Sequence, residues 1–140
     1  NGSFKNWKGM QDSGMRQVVK KIYFDVRSIR LLNDETRQNL TNKNMVAPKE
    51  MEGEVVNIGL FRHYIDTYLR KRDDVNKSAT LMVRQLEATQ NGLPIELYFF
   101  LETTDWVNYE QKTSDILEHI YAYANEFGLQ IYEGFAAINK

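Results

Sequence analysis

Two histidines, the serines at 28, 78 and 114, and a mixed set of 18 basic and 19 acidic side chains are the groups through which this chain could do chemistry. His63 and His119 are the only histidines. Neither has a second ligand at the HExxH spacing that puts two donors on one helical turn, so both read as structural side chains and no zinc site is expected. With no cysteine in the chain, thiolate metal sites and disulfides are excluded. Ser28, Ser78 and Ser114 lack the GxSxG elbow that exposes a nucleophilic hydroxyl at a strand-to-helix turn. Asp25 and Asp105 fall near predicted element ends, where turn formation and helix capping call for the same side chains that acid–base chemistry uses. Neither a P-loop nor a GxGxxG pattern is present. The residues therefore assign no catalytic, cofactor-binding or metal-binding position, and no enzyme is expected.

The elements that carry these side chains form one small domain's worth of sequence. The 140 residues, 42% hydrophobic and 12% aromatic, suffice for a core without staples. A net charge of −1 with both signs intermixed lacks the clustered basic footprint of a nucleic-acid binder. No apolar run reaches the roughly 18–20 residues that span a bilayer, and the first residues lack a signal-peptide layout.

Alternation over 17–26 predicts a first strand, with Val18, Ile22, Phe24 and Val26 on one face. Asn33 or Asp34 can cap a short helix reaching about Leu40. Residues 41–56 read as a connector, long for a loop. Asn57 is expected to cap a helix over 58–72, with Ile58, Phe61, Ile65, Tyr68 and Leu69 as its stripe. Strands over 80–86 and 93–103 flank Asn91-Gly92, a hairpin signal. Ile95, Leu97, Phe99 and Leu101 line one face of the second of these strands, Tyr98 and Phe100 the other, so it is expected to be covered on both sides. A helix over 106–127, capped by Thr104 or Asp105, ends at Gly128 before a last strand at 129–132. The order is β-α-β-β-α-β with an extra short helix after the first strand: an α+β, ferredoxin-like sandwich with an antiparallel four-stranded sheet.

Such a sheet raises the question of RNA recognition. The RNP1 pattern is missing, and Glu96 and Glu102 flank the aromatic strand, which disfavours a base-stacking platform. Tyr23, Tyr98, Phe100, Trp106, Tyr121, Tyr123 and Phe135 nevertheless exceed the needs of one modest core. Aromatic excess favours an interaction domain over an enzyme.

Five stretches occur in a telling order: NWKGMQDSGMR (6–16), KKIYFDVRSIRLL (20–32), NIGLFRHYIDTYLRK (57–71), TLMVRQLEATQNGLPIELYFFLETTDW (80–106) and SDILEHIYAYANEFGLQIYE (114–133). They resemble the cytoplasmic region of the miniconductance branch of the small-conductance mechanosensitive channel family, over nearly the whole chain except 41–56. The resemblance implies residues 1–16 as the remnant of a preceding β domain and 17–140 as the cytoplasmic α+β domain. It implies a bacterial inner-membrane protein whose membrane helices lie upstream, with this piece soluble on the cytoplasmic face. It further implies a homo-oligomeric ring, typically a heptamer, whose cytoplasmic domains enclose a vestibule below a pore that releases solutes under hypo-osmotic stress. No cofactor and no nucleic-acid partner are implied. The contrasting reading is a free-standing ferredoxin-like domain that senses a small ligand.

Overall fold

The computed structural model describes residues 14–134. Three strands and three helices make an α+β unit. The strands are β1 (Arg16–Phe24), β2 (Met82–Gln85) and β3 (Leu93–Leu101); the helices are α1 (Asp34–Asn42), α2 (Asn57–Arg70) and α3 (Trp106–Tyr123). β1 and β2 both pair antiparallel with β3, in the order β1-β3-β2.

The period-two alternation of the strands sets which face is buried. Register places Val18 beside Phe99, Ile22 beside Ile95 and Val83 beside Leu97. These side chains join Leu40 of α1, Phe61, Ile65 and Leu69 of α2, and Ile116 and Ile120 of α3 in one core. Phe61, fully buried, meets Phe24 edge-on at 6.0 Å and Phe127 at 4.8 Å. Burying a side chain of this kind contributes about 2–3 kcal/mol.

Several boundaries differ from expectation for local reasons. β1 stops at Phe24 because the Asp25 carboxylate accepts the Arg27 N–H at 2.9 Å and starts a 3-10 turn at Val26–Ser28. Val26 is consequently exposed instead of in the core. Leu129–Tyr132 supplies one antiparallel bridge, Ile131 to Phe24, in place of a fourth strand. Asp25 N–H to the Gln130 carbonyl (2.8 Å) and Tyr132 N–H to the Tyr23 carbonyl (2.9 Å) hold it, and the chain turns at Gly134. Glu133 and Gly134 offer no β-branched or aromatic side chain to prolong the pairing.

The connector is structured. Pro48 opens a 3-10 turn, Pro48–Met51, whose Met51 is buried. The Arg37 guanidinium of α1 donates to the carbonyls of Met51, Gly53 and Leu32 and so anchors the segment. In the hairpin, mutual backbone hydrogen bonds between Thr89 and Gly92 enclose Gln90 and Asn91, so the tight turn lies one residue earlier than the Asn-Gly pair suggests. Gly92 follows at φ +98, and a Cβ there would lie 2.6 Å from the Phe24 carbonyl oxygen. Glycine is the residue that fits.

α3 begins as expected, with the Asp105 side chain accepting the Asn108 N–H at 2.8 Å. It tightens into a 3-10 turn at Ala124–Phe127 and ends on Gly128 at φ +75. The expected remnant of a preceding domain, 1–16, falls largely on residues 1–13, outside the described residues, as does Phe135.

Candidate functional site

Asn57 opens α2 without capping it. The N-cap is Val56, which makes no side-chain cap. Asn57, buried to 1% exposure, instead accepts the Arg30 N–H (3.0 Å) and donates to the Ser28 and Phe127 carbonyls (3.0 Å each). One side chain therefore ties the start of α2 to the turn after β1 and to the end of the last helical turn. Composition gave no hint of this, because a capping Asn and a tethering Asn look alike before an apolar run.

His119 is the centre of an aromatic stack between α2 and α3. Its ring lies parallel to Tyr68 at 3.9 Å, leans on Tyr123 at 4.5 Å and accepts or donates a 2.9 Å hydrogen bond with the Tyr64 hydroxyl. Burial, aided by the Arg72 charge, pushes its pKa below the ordinary value, so the ring is neutral at pH 7. The Arg72 guanidinium donates to both Asp74 carboxylate oxygens (2.9 and 2.7 Å) and to the Tyr68 hydroxyl (2.9 Å), and Lys112 reaches Asp74 at 3.2 Å. Burial works against the Asp74 charge, yet the hydrogen bonds from Arg72 and Lys112 outweigh it and hold the carboxyl below its usual value. His63 is exposed and stands 3.9 Å from Glu50. No group of three metal-ligating side chains occurs among the described residues.

None of the polar candidates converges on a reacting centre. Asp25 caps the 3-10 turn after β1 and Asp105 caps α3. Ser28 donates to the Asp25 carbonyl at 2.7 Å and accepts the Gln130 N–H. Ser114 donates to the Glu110 carbonyl within α3, and Asn76 accepts the Ser78 N–H. A cleft of about 410 Å³ lies between α2 and the connector, lined among others by Met45, Glu50, His63, Tyr64, Tyr68 and Lys71.

The second sheet face is the other candidate surface. Gln17, Val19, Lys21 and Tyr23 of β1, Glu96, Tyr98 and Phe100 of β3, and Met82 and Arg84 of β2 share it by register. Val19 is 43% exposed, Tyr98 is half-buried, and no helical residue joins these side chains in the core cluster. Arg84 donates to Glu96 at 2.8 Å, Gln17 donates to the Tyr98 hydroxyl at 2.8 Å, and Phe100 meets Tyr98 edge-on at 5.9 Å. Phe100 and Glu96 are buried on this face and Tyr98 is half-buried. Of the other surplus aromatics, Trp106 is 65% exposed, and Tyr121 and Tyr123 are also exposed.

A small α+β domain with helices on one sheet face and no catalytic constellation among its described residues is a class of fold and not an activity. No protein-family model matches the chain. Among solved structures it is similar to MSL1 of Arabidopsis thaliana, a plant MscS-like channel determined by cryo-EM, with a TM-score of 0.59 at 10% sequence identity. The match covers 88% of this chain and 35% of MSL1, so this chain spans about a third of that protein. At that identity the likeness is one of fold. No helix among the described residues is long and apolar enough to cross a membrane.

Proposed function

We propose that this chain is the cytoplasmic domain of a bacterial mechanosensitive channel of the small-conductance type, of the miniconductance branch, and that it has no enzymatic activity. The observation that carries the reading is the fold shared with MSL1 over 88% of the chain, which agrees with the ordered motifs of the sequence. The sheet order supports the finer fold assignment: the Ile131 bridge lies on the outer side of β1, where a ferredoxin-like plan sets its fourth strand.

In that role the domain is one segment of a ring wall, with a heptamer as the expected assembly. Tension acts on the membrane part of such a channel and shifts a two-state equilibrium. The domain's work is to hold the ring's symmetry and, through the charges facing the vestibule, to bias which ions pass. The half-covered sheet face and the exposed Trp106, Tyr121 and Tyr123 supply surface for packing against neighbours.

The reading frame upstream of the codon for Asn1 tests this. Several in-frame apolar segments of about 20 residues are expected there. A frame that opens at Asn1 would overturn the proposal. A second reading, a domain that senses a small ligand, is favoured by the cleft beside Tyr64 and Tyr68. It predicts a metabolite that raises the melting temperature by mass action.

A further inference from the structure

Among the described residues, the outer edge of β1 is open along its middle. The Tyr23 carbonyl and the Asp25 N–H point to that edge, where they meet Tyr132 and Gln130. Backbone direction repeats every two residues in a strand, so Val19 and Lys21 turn their N–H and C=O groups to the same edge. β1 pairs with β3 on its other side, and the only pairing on the outer side among the described residues is the Phe24–Ile131 bridge. The Tyr109 hydroxyl takes the Gln17 carbonyl at 2.7 Å and closes the edge at that end. Among the described residues, five backbone groups are left in a row between these closures: the N–H and C=O of Val19 and of Lys21, and the Tyr23 N–H. β2 offers a shorter edge, four residues long, and Arg70 of α2 already reaches the Leu81 carbonyl beside it.

The geometry points to this edge as a strand-addition site for an extended acidic peptide segment of a partner polypeptide. Backbone pairing supplies affinity in such a mode, and alternate side chains supply the choice of partner. Lys20 and Lys21 are exposed and point to opposite faces of the sheet, and Val19 beside them is an exposed apolar contact. An antiparallel visitor reads, from its N-terminus, one acidic residue opposite Lys21, a second opposite Lys20, and an apolar residue opposite Val19. Opposite charges directly across a strand pair attract and like charges repel. The same lysines disfavour a second copy of this chain as the visitor, because antiparallel pairing centred on Lys20 or on Lys21 would set two lysines face to face. Lysines on an edge strand also guard against indiscriminate pairing, which suits a site that admits only acidic segments. The inference stands independently of the channel reading.

The test uses the whole 140-residue chain and a capped synthetic peptide carrying Glu-Glu-Val between threonines, with a Lys-Lys-Val peptide as control. The Glu-Glu-Val peptide is expected to bind, more weakly as salt rises, and to slow amide exchange at Val19 and Lys21 by about tenfold at ten times its Kd. The double substitution Lys20→Glu/Lys21→Glu is expected to weaken that peptide by about tenfold or more and to admit the Lys-Lys-Val peptide instead. Val19→Pro, tolerable where an N–H faces out from an edge strand, removes one donor and is expected to weaken both peptides. Absence of protection at Val19 and Lys21 at millimolar peptide, or binding that survives the charge reversal, would overturn the proposal.

Discussion

Replacing Asn57 separates a helix cap from a tether. A capping Asn tolerates Asp, since the two are close to equal at N-cap positions, and loses about 1 kcal/mol on truncation to Ala. The structure gives Asn57 three hydrogen bonds at 3.0 Å, to the Arg30 N–H and to the Ser28 and Phe127 carbonyls. Asn57→Ala strands one donor and two acceptors, in a site where the side chain is 1% exposed. At roughly 1 kcal/mol for each bond lost, with a desolvation penalty for whatever water cannot reach, the cost is about 3–4 kcal/mol. For a domain of this size that is a drop of roughly 10–20 °C in melting temperature. Asn57→Asp keeps the acceptor for Arg30 but turns a carboxylate toward two carbonyl oxygens, so it should cost at least as much as Ala at pH 7. Urea unfolding of the three proteins, with m-values compared, measures both changes. A loss below about 1 kcal/mol for Ala, or near-wild-type stability for Asp, would refute the tether and restore the cap.

Three further substitutions or conditions follow from the same geometry. Gly92→Ala should cost more than about 2 kcal/mol by denaturant titration, because its Cβ would meet the Phe24 carbonyl at a positive φ. Thr113→Val should stabilise by about 1 kcal/mol, since the Thr113 hydroxyl is buried without a hydrogen-bond partner among the described residues and a methyl group has nearly the same shape. His119 has a folded pKa below its ordinary 6.5, so the unfolded chain takes up the proton first. Its contribution is therefore complete above pH 6.5 and declines as pH falls from there toward the lowered folded value. Melting temperatures across pH 5–8 should show this slope in the native chain and a flatter one in His119→Phe, which keeps the stack on Tyr68 but cannot take a proton.

The helices were the most legible part of the fold. Asp105, the stripe through Ile116 and Ile120, and Gly128 at the end of α3 are local signals with local outcomes, and the structure uses each one. Strand ends were less so, because an aspartate two residues past Tyr23 can as well cap a turn as sit in a strand. The connector looked featureless because its order comes from Arg37, 14 and 16 residues away, reaching the Met51 and Gly53 carbonyls within it. Leu129–Tyr132 carries strand-like residues, yet among the described residues it makes a single bridge, Ile131 to Phe24. Of the candidate surfaces, the surplus of aromatics was visible beforehand. Which of them face solvent was not, since Phe100 and Tyr98 lie on the same face and yet differ in burial.

Patch recording of the whole gene product tests the central claim most directly. Expressed in bacterial membranes stripped of other mechanosensitive channels, it should give a conductance that appears as suction on the patch rises and vanishes when the suction is released. Protein that is present in the patch membrane yet silent up to the tension at which the membrane breaks would contradict the account.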